Sequence, residues 1–259
     1  MKRIISIMLP PLLLLSLVAC QAKTETKYLQ TSVTQEYIGN VTFRTETEYD
    51  SEGVQTAVIQ YMNDEESSRM EYSYTDNSII AKTTQNGETG TMKQIYEKDE
   101  SGNILRAEMY TNDELYAVTD CTYDSNGNRL TNVQHTIPID MIFSTTYTYD
   151  NAGNQIKIVN DYGNGAGSIM ENTYDKNDRL LLTMVYDLEE RLTSREEHSW
   201  ITATSEQVKV YDATGTVSST MEITYDEHGN MLTSETYDQA GALMLRVTYT
   251  YEKFEVPVK

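Results

Sequence analysis

The stretch Tyr123-Asp124-Ser125-Asn126-Gly127-Asn128-Arg129-Leu130-Thr131 decides the fold, because variants of it recur along the chain. Tyr123 is expected to close one β-strand, Asp124 to Gly127 to turn the chain, and Asn128 to open the next strand. Asp124 can accept a hydrogen bond from a backbone N–H two residues on. Gly127 can take the positive φ that a type I turn with a G1 bulge requires. The stretch therefore predicts a β-hairpin.

Copies of this stretch repeat at short, regular intervals. Their tyrosines are separated by near-multiples of about 12.5 residues, which leaves room for one strand of about eight residues and one turn, and none for a helix. The copies that begin at Tyr174 and Tyr186 keep the tyrosine and aspartate but lack the glycine. The residues predicted to define the turns in the best copies are Asp124, Gly127, Asp150, Gly153, Asp226, Gly229, Asp238 and Gly241.

About seventeen such units fit into the chain, too many for a flat sheet. Sheets twist by about 20° per strand and rarely exceed about ten strands without curling. We therefore predict an all-β fold, a meander of consecutive antiparallel hairpins that forms a single rolled or spiral sheet. An open twisted sheet ranks second, and a propeller ranks third because its blades would require a repeat of about 50 residues.

The segment from Tyr123 to Thr131 resembles the YD repeat of Rhs-type and teneurin-type proteins, with Tyr-Asp-x-x-Gly-Asn-Arg-Leu-Thr intact. The similarity covers about residues 37–251 and is specific as a repeat signature. The resemblance implies consecutive antiparallel hairpins, which in large Rhs proteins coil into a hollow β shell.

The first residues have the pattern of an export signal. Residues 1–19 carry Lys2 and Arg3 and then an apolar run, which is typical of a secretory signal peptide. Leu17-Val18-Ala19-Cys20 resembles the bacterial lipobox, which implies cleavage before Cys20 and lipid attachment to its sulfur. The expected location is the cell envelope, outside the cytoplasm, with the lipid as the contact to the membrane.

The segment after the lipobox has a different composition. Residues 20–35 are rich in Thr, Lys, Glu and Gln and lack periodicity, so we predict a flexible tether. Regular alternation of apolar and polar residues begins at Val41. The predicted organisation is a signal peptide over residues 1–19, a lipid-anchored tether over 20–35 and a YD-repeat β domain over 36–259.

The charge of the chain excludes one class of partner. The chain carries 20 basic and 40 acidic residues, and removal of Lys2 and Arg3 with the signal changes the net charge from −20 to −22. Nucleic-acid binding needs a basic surface, so it is excluded. Two interpretations stay open: a solvated outer face that keeps the protein soluble, or attraction to cations and basic partners.

The sequence shows no catalytic or cofactor-binding motif, so we predict a protein that is not an enzyme and takes no cofactor. Cys121 lies in an alternating strand, which favours a buried apolar role over a nucleophilic one. The three histidines show no metal-binding spacing, and no metal site is predicted. Weak calcium binding by the Asp-x-Asn-Gly-Asn turns is an alternative, although turn capping already accounts for these aspartates.

The twenty tyrosines, against three phenylalanines and one tryptophan, are the last unusual feature. Cross-strand stacking of tyrosines is the simplest interpretation, and an exposed aromatic platform for sugar rings around Trp200 is the alternative. We predict a surface-tethered, non-enzymatic binding or adhesion module for a glycan, another envelope polymer or a protein. A structural envelope or shell component that assembles through sheet edges is the second hypothesis.

Overall fold

The computed structural model describes residues 25–38, 41–85 and 87–256. These residues form eighteen β-strands and one short 3₁₀ helix, Ile137–Ile139, between the ninth and tenth strands. The strands are β1 Glu25–Tyr37, β2 Val41–Tyr49, β3 Gln55–Met62, β4 Glu65–Thr75, β5 Ser78–Gln85, β6 Glu88–Lys98, β7 Ile104–Thr111, β8 Glu114–Tyr123, β9 Arg129–Thr136, β10 Met141–Tyr149, β11 Gln155–Gly163, β12 Ala166–Tyr174, β13 Leu180–Tyr186, β14 Leu192–Thr202, β15 Ser205–Asp212, β16 Val217–Tyr225, β17 Met231–Asp238 and β18 Leu243–Val256.

The strands form one closed antiparallel sheet. Each strand pairs with its neighbours in sequence. β1 pairs with β2 on one side and with β18 on the other, which joins the two ends of the meander. The predicted all-β antiparallel meander is confirmed, and its sheet is an eighteen-stranded barrel rather than a spiral, an open sheet or a propeller.

The prediction of a tether was wrong for residues 25–35, which belong to β1. Val33 is paired with Thr45 of β2 and with Tyr249 of β18, so this polar segment is one of the strands of the barrel. Backbone pairing on both sides holds this segment in the sheet, although its sequence lacks the apolar alternation expected of a half-buried strand. The signal peptide, Cys20 and residues 21–24 lie outside the described residues.

The hairpin at Asp124 shows how the repeats turn. The Asp124 Oδ1 accepts hydrogen bonds from the backbone N–H groups of Asn126 and Asn128, both at 2.8 Å. Gly127 has a φ of +84° and donates its N–H to the Asp124 carbonyl at 3.1 Å. The same pattern forms at Asp150 and Gly153, Asp226 and Gly229, and Asp238 and Gly241.

The glycine-free copies form the same turn. Asp178 and Glu190 occupy the glycine position with φ values of 60° and 61°. Their N–H groups donate to the carbonyls of Asp175 and Asp187, at 3.1 and 3.0 Å. The aspartate at the start of the turn is therefore the shared feature, and glycine only removes the steric cost of the left-handed conformation.

The two ends of the barrel differ. Beyond its pairing with β2, β1 continues as Glu25–Gln30, which pairs with Tyr251–Val256 of β18 and forms a two-stranded extension that we call the ribbon. The ribbon emerges at the end formed by the turns after even-numbered strands, such as the Asp124 and Asp150 turns. We call this the ribbon end, and the other end, with the turns after odd-numbered strands, the opposite end.

The sheet has two chemically distinct faces. The tyrosine face carries Tyr72, Tyr96, Tyr123 and Val208, and burial is the main cause that raises the pKa of Tyr96 to about 12. The charged face carries ion pairs, and there the pKa of Tyr211 is raised first by its hydrogen bond to Glu197. Eight of the eleven buried residues of the described chain lie on the tyrosine face, and the more enclosed face of a closed barrel is its inner one, so the tyrosine face is the inner wall.

The interior of the barrel is not a packed core. Eighteen strands spaced about 4.8 Å apart give a ring about 27 Å across, even before strand tilt widens it. A filled interior would bury about four side chains per strand, about 70 in all. Only eleven of the described residues are buried, and Ala57 and Ile59 among them lie on the charged face. The barrel is therefore hollow, and its inner wall is reached by water.

Closure by β1 can be tested with proline. Val33→Pro removes a backbone N–H in a strand that is paired on both sides, and we expect a lower melting temperature together with oligomers formed through the newly exposed edges. The matched control is Ser125→Pro, at the second turn position of the Asp124 hairpin, where proline suits the backbone. Thermal unfolding and light scattering measure both effects. Equal behaviour of the two variants would contradict a structural role for β1.

Candidate binding site on the inner wall

The motif tyrosines link neighbouring hairpins at the ribbon end. The Tyr123 hydroxyl donates a hydrogen bond of 3.0 Å to the carbonyl of Ile104, at the start of the adjacent strand β7. Tyr149 bonds Arg129 in the same way at 2.8 Å. Because each bond joins the last residue of one strand to the first residues of its neighbour, the tyrosine ties together consecutive hairpins along the rim.

This tyrosine position recurs every 24–26 residues around the ribbon end. Eight of the nine residues at the position are aromatic, and the ninth, Lys98, donates to the Asp76 carbonyl at 3.2 Å. The ring therefore belongs to the architecture of the rim rather than to a separate aromatic patch. Its members are Tyr49, Tyr74, Lys98, Tyr123, Tyr149, Tyr174, Trp200, Tyr225 and Tyr251.

Trp200, predicted as a ligand platform, is a member of this rim. Its indole N–H donates to the Leu180 carbonyl at 3.3 Å, the same bond that the tyrosines make. Its ring stacks on Tyr225 with centroids 5.6 Å apart, and the Arg179 guanidinium lies 5.3 Å from its centre. Trp200 follows Tyr174 by 26 residues and precedes Tyr225 by 25. This spacing matches that of the rim tyrosines, so the sequence alone could have indicated that Trp200 belongs to the rim.

A buried polar cluster lies beside Trp200. Glu206 accepts hydrogen bonds from the Tyr225 hydroxyl and from His198 Nδ1, the latter at 3.2 Å. Burial raises the pKa of Glu206, but the hydrogen bonds from His198 and Tyr225 outweigh this and lower it. The His198 Nε2 is buried and makes no protein hydrogen bond. The cluster is thus a buried carboxylate whose hydrogen bonds hold it in its ionised form.

A wide, open cavity of about 800 Å³, which we call the Tyr147 cavity, lies between the Asp124 and Asp150 hairpins at the ribbon end. The Tyr147 ring belongs to the inner wall, and the Asn126 side chain is exposed at the turn. Sequence reasoning missed this cavity, since it lies between two copies of the repeat rather than within one. Its lining includes Asn126, Asn128, Leu130, Tyr147, Tyr149 and Asp150.

The other candidate residues have local structural roles. Cys121 is half-buried on the inner wall, and burial raises the pKa of its thiol, which disfavours the reactive thiolate. His228 is exposed at a turn tip and stacks on Tyr28 with centroids 4.2 Å apart. The region around Trp200 is the regular strand β14 followed by a two-residue turn.

The turn aspartates already use their oxygens. In the Asp124 turn, Oδ1 accepts two backbone N–H groups and Oδ2 accepts the Asn128 side-chain amide at 2.9 Å. Across residues 25–38, 41–85 and 87–256, no group of three or more His, Cys, Asp or Glu residues is placed to hold a metal ion. In the same part of the chain, no helix has the length and apolar character needed to cross a membrane.

The rim hydrogen bond can be tested at Tyr123. Tyr123→Phe removes only the hydroxyl that bonds the Ile104 carbonyl, and we expect the free energy of unfolding to fall by about 1 kcal/mol. Tyr116→Phe is the matched control, because Tyr116 is exposed on the charged face. Urea denaturation of both variants measures the difference. A Tyr123→Phe protein as stable as the control would contradict the linking role.

The titration of Asp175 tests the turn geometry. Hydrogen bonds from the Arg179 guanidinium, helped by backbone N–H groups, lower the pKa of Asp175 from 3.8 to about 2. The pKa of Asp175 is lower in the folded state than in the unfolded state. Its ionised carboxylate therefore stabilises the folded protein above about pH 3.8, and this stabilisation is lost as the pH falls towards 2. Carboxyl-carbon NMR should show this midpoint. Arg179→Asn, which copies the Asp124 turn, should raise the midpoint, and no change would contradict the assignment.

Comparison with known proteins shows the fold alone. No protein-family model and no curated protein matches the chain. A porin-like protein from Bacteroides uniformis has a similar structure, with a TM-score of 0.50 and 11% identity over 89% of this chain and 99% of that chain. The Photorhabdus luminescens Tc holotoxin pore matches with a TM-score of 0.27 and 12% identity, over 82% of this chain. TcdB2–TccC3 without its hypervariable C-terminal region matches with a TM-score of 0.28 and 11% identity, over 80% of this chain. The chain spans 17% of each Tc chain.

Proposed function

We propose that this chain is a lipid-anchored envelope protein whose hollow barrel binds a neutral, hydroxyl-rich polymer, a glycan, on its inner wall. The observation that carries the proposal is the unfilled interior, lined by tyrosines and side-chain amides, with the Tyr147 cavity at its rim. The proposed activity is binding without catalysis.

The chemistry of the inner wall favours a neutral ligand. Away from the two rims, the carboxylates on the inner wall of the described chain are Glu196 and Glu206, and Glu206 is buried. The rest of the wall mixes Tyr, Thr, Ser, Met and amides such as Asn132 and Gln134 with apolar side chains such as Ile158 and Val208. Aromatic faces and amides together suit sugar rings and hydroxyl groups. The many aspartates in the turns at both rims disfavour the entry of polyanions.

The charged face indicates that water rather than lipid surrounds the barrel. Its strands carry cross-strand ion pairs, which in a lipid-facing wall would cost about 2–4 kcal/mol per Arg or Lys at the midplane. The inner wall, with its amides and hydroxyls, is no better suited to lipid. We therefore propose that the membrane is reached only through the lipid on Cys20. The ion pairs are Arg69–Glu48, Arg106–Asp120, Lys157–Glu171 and Arg246–Glu235.

Assembly through sheet edges, the second hypothesis from the sequence, has no support from this geometry. Such assembly needs a strand with unpaired N–H and C=O groups along one side. Within the barrel all eighteen described strands have partners on both sides, since β1 closes the sheet against β18, and unpaired strand edges remain only along the six-residue ribbon. The barrel therefore offers no complete free edge to another copy.

The proposed binding can be tested with matched tyrosine variants. Wild-type protein should bind at least one neutral polysaccharide in a panel of neutral and uronate-containing glycans measured by biolayer interferometry. Tyr147→Ala should weaken that binding at least tenfold, about 1.4 kcal/mol, because its ring lines the cavity. Tyr116→Ala, on the charged face, is the control. Absence of binding across the panel, or equal loss in both variants, would overturn the proposal.

A further inference from the structure

We infer that the ribbon end of the barrel faces the membrane surface and that the opposite end faces outward. The inference rests on the lipid anchor of the proposed function and adds an orientation that the anchor alone does not give. It follows from where β1 begins, from what holds the ribbon in place and from the reach of a polypeptide chain.

The distance from lipid to barrel is short. Glu25 is the first residue of β1 and pairs with Val256 at the tip of the ribbon. Cys20 precedes Glu25 by five residues, which span at most about 18 Å when fully extended. The sixteen-residue tether expected from the sequence would have allowed the barrel to take any orientation relative to the membrane. A connection of five residues restricts that orientation.

The ribbon is held against the rim from both sides. Phe254 packs against Tyr49 with ring centroids 5.6 Å apart, and Tyr28 stacks on His228 of the Asp226 turn. A Cβ placed on Gly53 would come within 3.0 Å of Val256, so the Asp50 turn lies directly against the ribbon. These contacts fix the attachment point at one end of the barrel.

The opposite end lies too far from the attachment point of the lipid to contact the membrane while the anchor is inserted. A nine-residue strand such as β10 is about 30 Å long, or about 23 Å along the barrel axis at a tilt of 40°. The opposite end exposes Ile38, Ile139 and Ile142, with exposed fractions of 67%, 58% and 57%. Insertion of these apolar turns into lipid would demand the reverse orientation, so the two arrangements exclude each other.

The test compares two labels at equivalent turn positions of the full-length lipidated protein in vesicles that contain an acceptor dye. Ser125→Cys places a donor dye at the ribbon end, and Ala213→Cys places one at the opposite end, each in a Cys121→Ser background. Both residues are exposed and follow the first aspartate of their turn. We expect at least about twofold higher energy transfer from position 125, given the separation of about 23 Å. Insertion of fifteen Gly/Ser residues after Ala22 should abolish the difference.

Each result decides the question. Equal transfer from both positions, stronger transfer from position 213, or a difference that survives the inserted linker would overturn the orientation. Mass spectrometry of the mature protein gives a separate reading, and a product without lipid on Cys20 would overturn it as well. Glycan binding by the Tyr147 cavity is measured with protein released from vesicles, so its failure is distinguishable from failure of the orientation.

Discussion

The pairing of β1 with β18 is the constraint on which the rest of the structure depends. A meander of seventeen strands without β1 would leave two edges, each with a row of unpaired backbone groups. Val33, paired with Thr45 and Tyr249, removes both edges at once. Closure also separates an enclosed face from an exposed one, with the ribbon-end tyrosines and amides such as Asn132 on the first and the ion pairs on the second. The hollow interior, the charged exterior and the fixed ribbon all follow from this one pairing.

A barrel with so few buried residues draws its stability from sources other than a core. Ladder hydrogen bonds join every strand to two neighbours, and the turn aspartates hold each reversal in shape. The motif tyrosines add bonds from one hairpin to the next, as Tyr149 does to Arg129. At the ribbon end, the two residues of the repeat phrase thus have separate tasks: the aspartate shapes its own turn, and the tyrosine ties that turn to the preceding one. Neither task needs side chains packed across the interior.

The sequence predicted those parts of the fold that depend on local chemistry. The Asp124 turn is encoded by residues within five positions of each other, and the strand length follows from the spacing of the repeats. Closure was not predictable in this way, because β1 lacks both the motif and the apolar alternation, and its closing partner β18 lies about 220 residues away. Trp200 belongs to the rim by its position in the repeat, although its residue type differs from tyrosine. The Tyr147 cavity arises between repeats, so no single copy indicates it.

The distribution of charge shows why a hollow interior can persist. An empty apolar barrel would gain free energy by collapsing into two packed layers, because collapse removes apolar surface from water. The inner wall here instead mixes apolar side chains with Tyr, Thr, Asn and Gln, whose polar groups would lose water contacts on collapse unless each found a partner. Asn172 meets Thr183, and Asn160 meets Thr145 and Ser168, so these amides already bond along the wall. Because the polar groups of the wall are hydrated or already hydrogen-bonded to each other, collapse of the barrel would gain little free energy. The interior therefore stays open to a ligand of similar polarity.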